Sequence, residues 1–171
     1  MRASPEQRTR IKGDEARRLE SYRDTVGVWT IGYGHAATNP RPVSGLCIVY
    51  QKDEDGSELK DPITHKLIPC MDENGQPVLE YYKGKVREGV RITNDECERL
   101  FEEDLAETEA GINALVTQQL SQSQFDSLVD FVHQYGLNRL QNSTLLIKIN
   151  FNPNSPAVLA ELMRWTMAGG E

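Results

Sequence analysis

Glu15, Asp24 and Thr30 lie close together in the string EARRLESYRDTVGVWTIGYGH, and Gly32 and Gly34 follow them directly. Two carboxylates in different surroundings, one of them near a hydroxyl, are what glycoside hydrolysis asks for. One acid protonates the leaving oxygen, and one carboxylate works on the opposite face of the sugar. On spacing alone the same residues also suit a solvated hairpin with ordinary surface charges.

The elements that must hold these residues are legible. Ser4-Pro5-Glu6-Gln7 is a capping box with proline at the first helical position, and Gly13 is the expected end of that helix. Glu15 then lies at or just past a helix C-terminus, where the dipole favours the neutral carboxyl that a general acid uses. LESYRD and VWTIGYG read as strands joined by Thr25-Val26-Gly27, a three-residue loop closed by glycine. That register sets Asp24 opposite Val28 and Tyr22 opposite Thr30. Period two puts these four on one face, continued by Gly32 and Gly34 as bare backbone with room for a flat polar ligand.

The C-terminal half reads as helices. Thr93 and Glu96 form a capping box before a stripe of Cys97, Leu100, Phe101, Leu105, Ile112, Leu115 and Val116. A second helix runs from Ser121, with Gln124 at box spacing, to a Gly136 cap. A short one follows Ser143, and a last one starts at Ser155-Pro156. Between the two halves, CIVYQ, KLIPC and PVLEYY are separated by the turn signals Asp55-Gly56 and Asn74-Gly75, and Pro62, Pro69 and Pro77 oppose a continuous helix. The expectation is a β-rich excursion of two hairpins over residues 46–82. It leans on the small lobe, with Tyr50, Tyr81 and Tyr82 as sugar-stacking or packing surfaces.

Composition narrows the classes. The net charge is −7, and residues 91–171 carry 12 carboxylates against five cations, which argues against nucleic-acid binding. No apolar run approaches membrane-spanning length, and the polar start MRASPEQRTRIKGDE has no signal core. Synthesis in the cytoplasm without a signal peptide and no stable membrane association are therefore expected. Cys47, Cys70 and Cys97 lack the density of a disulfide scaffold. Cys97 falls on a helical stripe, and Cys47 and Cys70 are a pair that oxidation outside the cytoplasm would join. Cys47, His65 and Cys70 lack a fourth ligand, so no metal and no cofactor is read.

The pattern E-x(3)-L-x(2)-Y-x-D-x(2)-G-x(2)-TIGYGH, here Glu15, Leu19, Tyr22, Asp24, Gly27 and Thr30 to His35, resembles the catalytic signature of phage-type lysozymes, the endolysin muramidases. GVRITNDECERLFEEDL, QFDSLVDFVHQYG, STLLIKIN and RWTMAGG resemble later landmarks of that family in the same order. The resemblance implies an α+β, lysozyme-like fold: a small β-hairpin lobe with an inserted β-rich excursion, plus a helical lobe. It implies one domain over residues 1–171, divided into a catalytic hairpin region (4–35), the insertion (36–88), and the interlobe helix with the helical lobe (89–171). The basic C-terminal helix usual in the family is not found in the sequence given.

The resemblance also assigns roles. Glu15 is the general acid, and Asp24 and Thr30 hold or activate the attacking water. Tyr22, Gly32 and Gln134 bind substrate, and His35 pairs with Asp104 as structural support. The bond cleaved is the β-1,4 link between N-acetylmuramic acid and N-acetylglucosamine in peptidoglycan, and the place of action is the bacterial cell wall or periplasm after release or delivery. The expected partners are glycan strands, with a protein partner possible through residues 46–82, and the expected state is a monomer. A non-catalytic lysozyme-fold domain that binds glycan or a protein partner is the alternative. Where the family usually has glycine after the catalytic acid, this chain has Ala16.

Overall fold

The computed structural model describes residues 1–167; the Ala168-Gly169-Gly170 end of the RWTMAGG landmark lies outside the described residues. The elements in chain order are α1 (Pro5–Glu15), β1 (Arg18–Arg23), β2 (Trp29–Gly32), β3 (His35–Ala36), β4 (Val43–Ile48), β5 (Leu79–Gly84), β6 (Val90–Arg91), α2 (Asn94–Leu115), α3 (Gln122–Tyr135), α4 (Leu137–Gln141), α5 (Thr144–Phe151) and α6 (Pro156–Met167). They fall into two compact units, residues 1–14 with 102–171, and residues 15–101.

The second unit is built on one six-stranded antiparallel sheet of order β3-β2-β1-β6-β4-β5. Alternation decides its faces. Val43, Cys47 and Val90 point inward and join Ile31, Val86, Ile92, Cys97 and Leu100 in a buried cluster, with Leu19, Trp29, Tyr33 and Tyr82 packed at its margin. Leu46, Tyr81 and Arg91 take the opposite face.

The excursion between β4 and β5 is organised by a rule that no strand pattern announces. Val49 N–H bonds to Val78 O, Val78 N–H to Cys70 O, and Cys70 N–H to Val49 O. One level further out, Gln51 N–H bonds to Ile68 O, Ile68 N–H to Leu59 O, and Leu59 N–H to Gln51 O. Four chain segments, three to each ring, thus close two cyclic rings of backbone hydrogen bonds. Three turns cap them, each anchored by an aspartate Oδ1 that accepts two backbone N–H groups. Asp53 takes those of Asp55 and Ser57, Asp61 those of Ile63 and Thr64, and Asp72 those of Asn74 and Gln76. The chain reverses at Asp55-Gly56 and Asn74-Gly75, as the turn chemistry indicated. The two-hairpin expectation is corrected by the third turn, which lacks glycine and places His65 at φ 57° instead. Cys47 and Cys70 are free thiols and are not bonded to each other. Arg87 clamps the excursion by donating to both oxygens of Glu58, with its guanidinium 5.8 Å from the Tyr50 ring centroid.

In the first unit the buried residues include Ile11, Leu105, Ile112, Phe125, Leu128, Val129, Leu140 and Leu145. A Cβ on Gly111 would meet Leu137 at 2.3 Å, so the missing side chain is what lets α4 pack on α2. Buried Glu161 ties α6 to α5 through Thr144 and Lys148. The Ser121–Gln124 capping box is complete. At Ser4 and Thr93 only the N-cap half forms, because Gln7 donates to Asp130 and Glu96 bonds to Arg99 and Ser44 instead. The short helix α4 was not expected; Gly136, read as a stop for α3, also starts α4.

Candidate active site

Helix α1 runs past Gly13 and ends with Glu15, which corrects the expected end point. The residue that stops it is Ala16, which takes the left-handed conformation at φ 50° and turns the chain into β1. The glycine usual at this place in the resembling family thus has a physical reason, and alanine occupies it here under strain. Glu15 is half-buried. Gly34, at φ 88° in the turn between β2 and β3, lies against its carboxyl: a Cβ there would stand 3.2 Å from Glu15 Oε2 and 3.4 Å from Cδ.

Near its turn the hairpin takes the register read from the sequence, and an irregularity between Arg18 and Tyr22 shifts it further along, where Arg18 pairs with Gly32. Tyr22 pairs with Thr30 and Arg23 with Trp29, Asp24 N–H donates to Val28 O, and Gly27 supplies φ 83°. Asp24 Oδ1 accepts the N–H groups of Val26 at 3.0 Å and Val28 at 2.8 Å, so the turn itself sets the orientation of the carboxylate. Thr30 is buried and donates its hydroxyl to Val28 O at 3.1 Å, which leaves the oxygen lone pairs as its remaining capacity.

Tyr22 links the two carboxylates. Burial is the main cause that raises its phenol above the usual pKa of 10; the charges of Glu15 and Asp24 add to this, and Arg18 opposes it. The Arg18 guanidinium lies 4.5 Å from the ring centroid. Glu15, Tyr22 and Asp24 therefore share one electrostatic neighbourhood. Arg18 is a member of it that the sequence reading missed; its place four residues before Tyr22 on one strand face was the available signal.

The expected ligand space beside the glycines is corrected. Gly32 is buried, and its Cβ direction meets Cys97 Sγ at 3.3 Å; that of Gly34 meets Glu15. Both positions admit protein atoms on that side. His35 is buried, with Nε2 3.1 Å from Arg41 O. Its charge also acts on Glu96, whose carboxylate accepts from Arg99 Nε at 2.7 Å and from the Ser44 N–H at 2.7 Å.

Gln134 and Asp104 belong to the first unit. Asp104 is half-buried on α2, and Gln134 is exposed on α3. Gln134 lines a cavity of about 410 Å³ together with Phe131, Tyr135, Trp165 and the Arg10–Asp130 ion pair. The three aromatic rings pack on one another with centroids 5.0–5.2 Å apart.

The chain is similar to known phage proteins over most of its length. The chain is 28% identical over 158 residues to an endolysin of Acyrthosiphon pisum secondary endosymbiont phage 1, covering 92% of this chain and 75% of that one. It is 27% identical over 161 residues to the endolysin of Salmonella phage P22, covering 94% and 81%. The crystal structure of a mutant P22 lysozyme superposes with a TM-score of 0.58 at 25% identity, over 96% of this chain and 84% of that one. The family model described as phage lysozyme matches residues 12–171. With that match spanning nearly its whole length, the chain belongs to the phage lysozyme family.

Proposed function

We propose that this protein is a muramidase that hydrolyses the β-1,4 bond between N-acetylmuramic acid and N-acetylglucosamine at the bacterial cell wall. Lysis of peptidoglycan is the activity its family and its endolysin relatives carry. The observation that supports the finer reading is the electrostatic neighbourhood of Tyr22, where the Glu15 and Asp24 carboxylates act on one phenol.

Glu15 donates its proton to the glycosidic oxygen as the bond to the anomeric carbon breaks. Asp24, fixed by its two N–H contacts, accepts a proton from a water as that water attacks the opposite face, with Thr30 orienting the water through its oxygen. The proton taken by Asp24 passes to solvent and Glu15 is reprotonated, which closes the cycle. The product is the inverted anomer. Tyr22 and the backbone of Gly32 hold the sugar.

The test is clearance of a suspension of purified peptidoglycan with release of reducing ends. Glu15→Gln should lose at least 100-fold in rate, and an unchanged rate would sink the assignment of Glu15 as the acid.

A further inference from the structure

We propose that the outer face of the β4–β5 hairpin is a second glycan-binding platform, in which Tyr81 stacks on a sugar ring beside Leu46 and Lys83 faces the carboxylates of peptide stems. The proposal rests on the reading of this protein as a peptidoglycan hydrolase.

The structure separates the three tyrosines of the excursion. Tyr50 is buried against Gly89, and burial pushes its phenol up to about 12. Tyr82 points inward, packs on the core cluster and donates its hydroxyl to Lys85 O. Tyr81 alternates to the other face and is 73% exposed. Its cross-strand partner Leu46 is 43% exposed.

Register extends this pair into a row. Tyr81 lies opposite Leu46, Leu46 opposite Arg91, and Arg91 opposite Glu20, so one line crosses β5, β4, β6 and β1. At the usual strand spacing the row is about 14 Å long, the reach of a few sugar rings. It ends on β1, two residues from Tyr22, and so continues from the strand that borders the candidate active site. The chemistry alternates as a carbohydrate does: an aromatic and an aliphatic surface, then the Arg91–Glu20 ion pair with its hydrogen-bonding edges, with exposed Lys83 two residues from Tyr81. One tyrosine and one leucine among charged neighbours make a patch the size of a sugar, far below the roughly 800 Å² per partner of a stable protein interface.

Binding is measured by sedimentation with insoluble peptidoglycan, using the full chain in the Glu15→Gln background. Tyr81→Ala should weaken binding about tenfold, Leu46→Ser about threefold, and Tyr81→Trp less than twofold. With Glu15 intact, Tyr81→Ala should raise KM on polymeric glycan about tenfold while kcat changes less than twofold, and the effect should shrink as the glycan is shortened. Thermal unfolding confirms that each variant is folded. Unchanged sedimentation of both Tyr81→Ala and Leu46→Ser overturns the proposal. So does a result in which Tyr81→Ala abolishes self-association but leaves glycan affinity intact, because the face would then join copies of the chain. If the protein with Glu15 cleaves peptidoglycan and Tyr81→Ala matches it, the platform falls alone. If Glu15→Gln cleaves as fast as the parent, the catalytic reading falls, and sedimentation still judges the platform.

Discussion

A Cβ built on Gly34 would stand 3.2 Å from Oε2 of Glu15. The missing side chain leaves room for the carboxyl. Gly34→Ala would force the carboxyl to move and would also place alanine at φ 88°, a conformation that costs roughly 1–2 kcal/mol. The expected result is a stability loss of about that size and a fall in kcat of tenfold or more. Chemical denaturation and peptidoglycan clearance measure the two. A variant that loses stability yet keeps full kcat would show that Gly34 serves the fold alone.

Ala16 offers the opposite experiment. It ends α1 at φ 50°, immediately after Glu15. Ala16→Gly removes the left-handed cost but gives the unfolded chain more freedom, worth about 0.4–1 kcal/mol in the other direction. The net expectation is stabilisation of up to about 1 kcal/mol, read as a higher midpoint in urea. A lower midpoint would mean that the Ala16 methyl group makes a contact worth more than the strain.

Asp24 has two jobs that substitution can separate. Its Oδ1 accepts from Val26 and Val28, and an asparagine keeps an acceptor there while removing the charge. Asp24→Asn should cost less than about 0.5 kcal/mol and reduce kcat about 100-fold or more. Asp24→Ala should show a similar kinetic loss and cost about 1 kcal/mol of stability besides. The first product anomer seen by NMR with the parent enzyme should be inverted; a retained anomer would require a covalent glycosyl intermediate and a different task for Asp24.

Glu96 sets an acid limit on stability. Burial works against its ionised form, but the Arg99 guanidinium, the Ser44 N–H and the charge of His35 together hold its pKa below the ordinary glutamate value. A depressed folded pKa means that the stabilisation is complete above the unfolded value of about 4.3 and is lost as pH falls through the lower folded one. Glu96→Gln should therefore cost about 1–3 kcal/mol at neutral pH and flatten this part of the acid limb. Urea midpoints from pH 7 down to 3 test it: parent and variant curves should converge as pH falls, and parallel curves would exclude the linkage.

What the sequence disclosed follows the range of the interactions involved. The hairpin register was legible because Gly27 and the flanking alternation specify it within a few residues. The N-caps at Ser4, Thr93 and Ser121 were legible for the same reason, whereas the reciprocal halves of two boxes were not, since Asp130, Arg99 and Ser44 compete for Gln7 and Glu96 from elsewhere. The end of α1 was misplaced because Gly13 is the better local stop, yet the left-handed turn falls on Ala16. In the candidate site, the roles proposed for Glu15, Asp24 and Thr30 come from the signature. That Gly32 and Gly34 make room for Cys97 and Glu15 was not legible, because it depends on which atoms occupy the missing Cβ positions. The third aspartate-anchored turn escaped notice because His65 stands where the other two turns carry glycine.

Val49 and Val78 are joined by a backbone hydrogen bond of 2.9 Å at the base of the excursion. The chain therefore leaves the β4–β5 hairpin and returns to it at one point. Material added or removed beyond that point changes neither the spacing nor the register of the strands beneath. A hairpin closed there by two residues such as Asn-Gly would keep the strand pairing, including the Leu46–Tyr81 pair, and would lose the closed rings, their three turns, the Glu58 partner of Arg87 and the Tyr50 ring packed on Gly89. The fold has in this place a socket where segments of different length can be exchanged at little cost in loop entropy, and a lineage can elaborate the small lobe without disturbing the hairpin that carries Asp24.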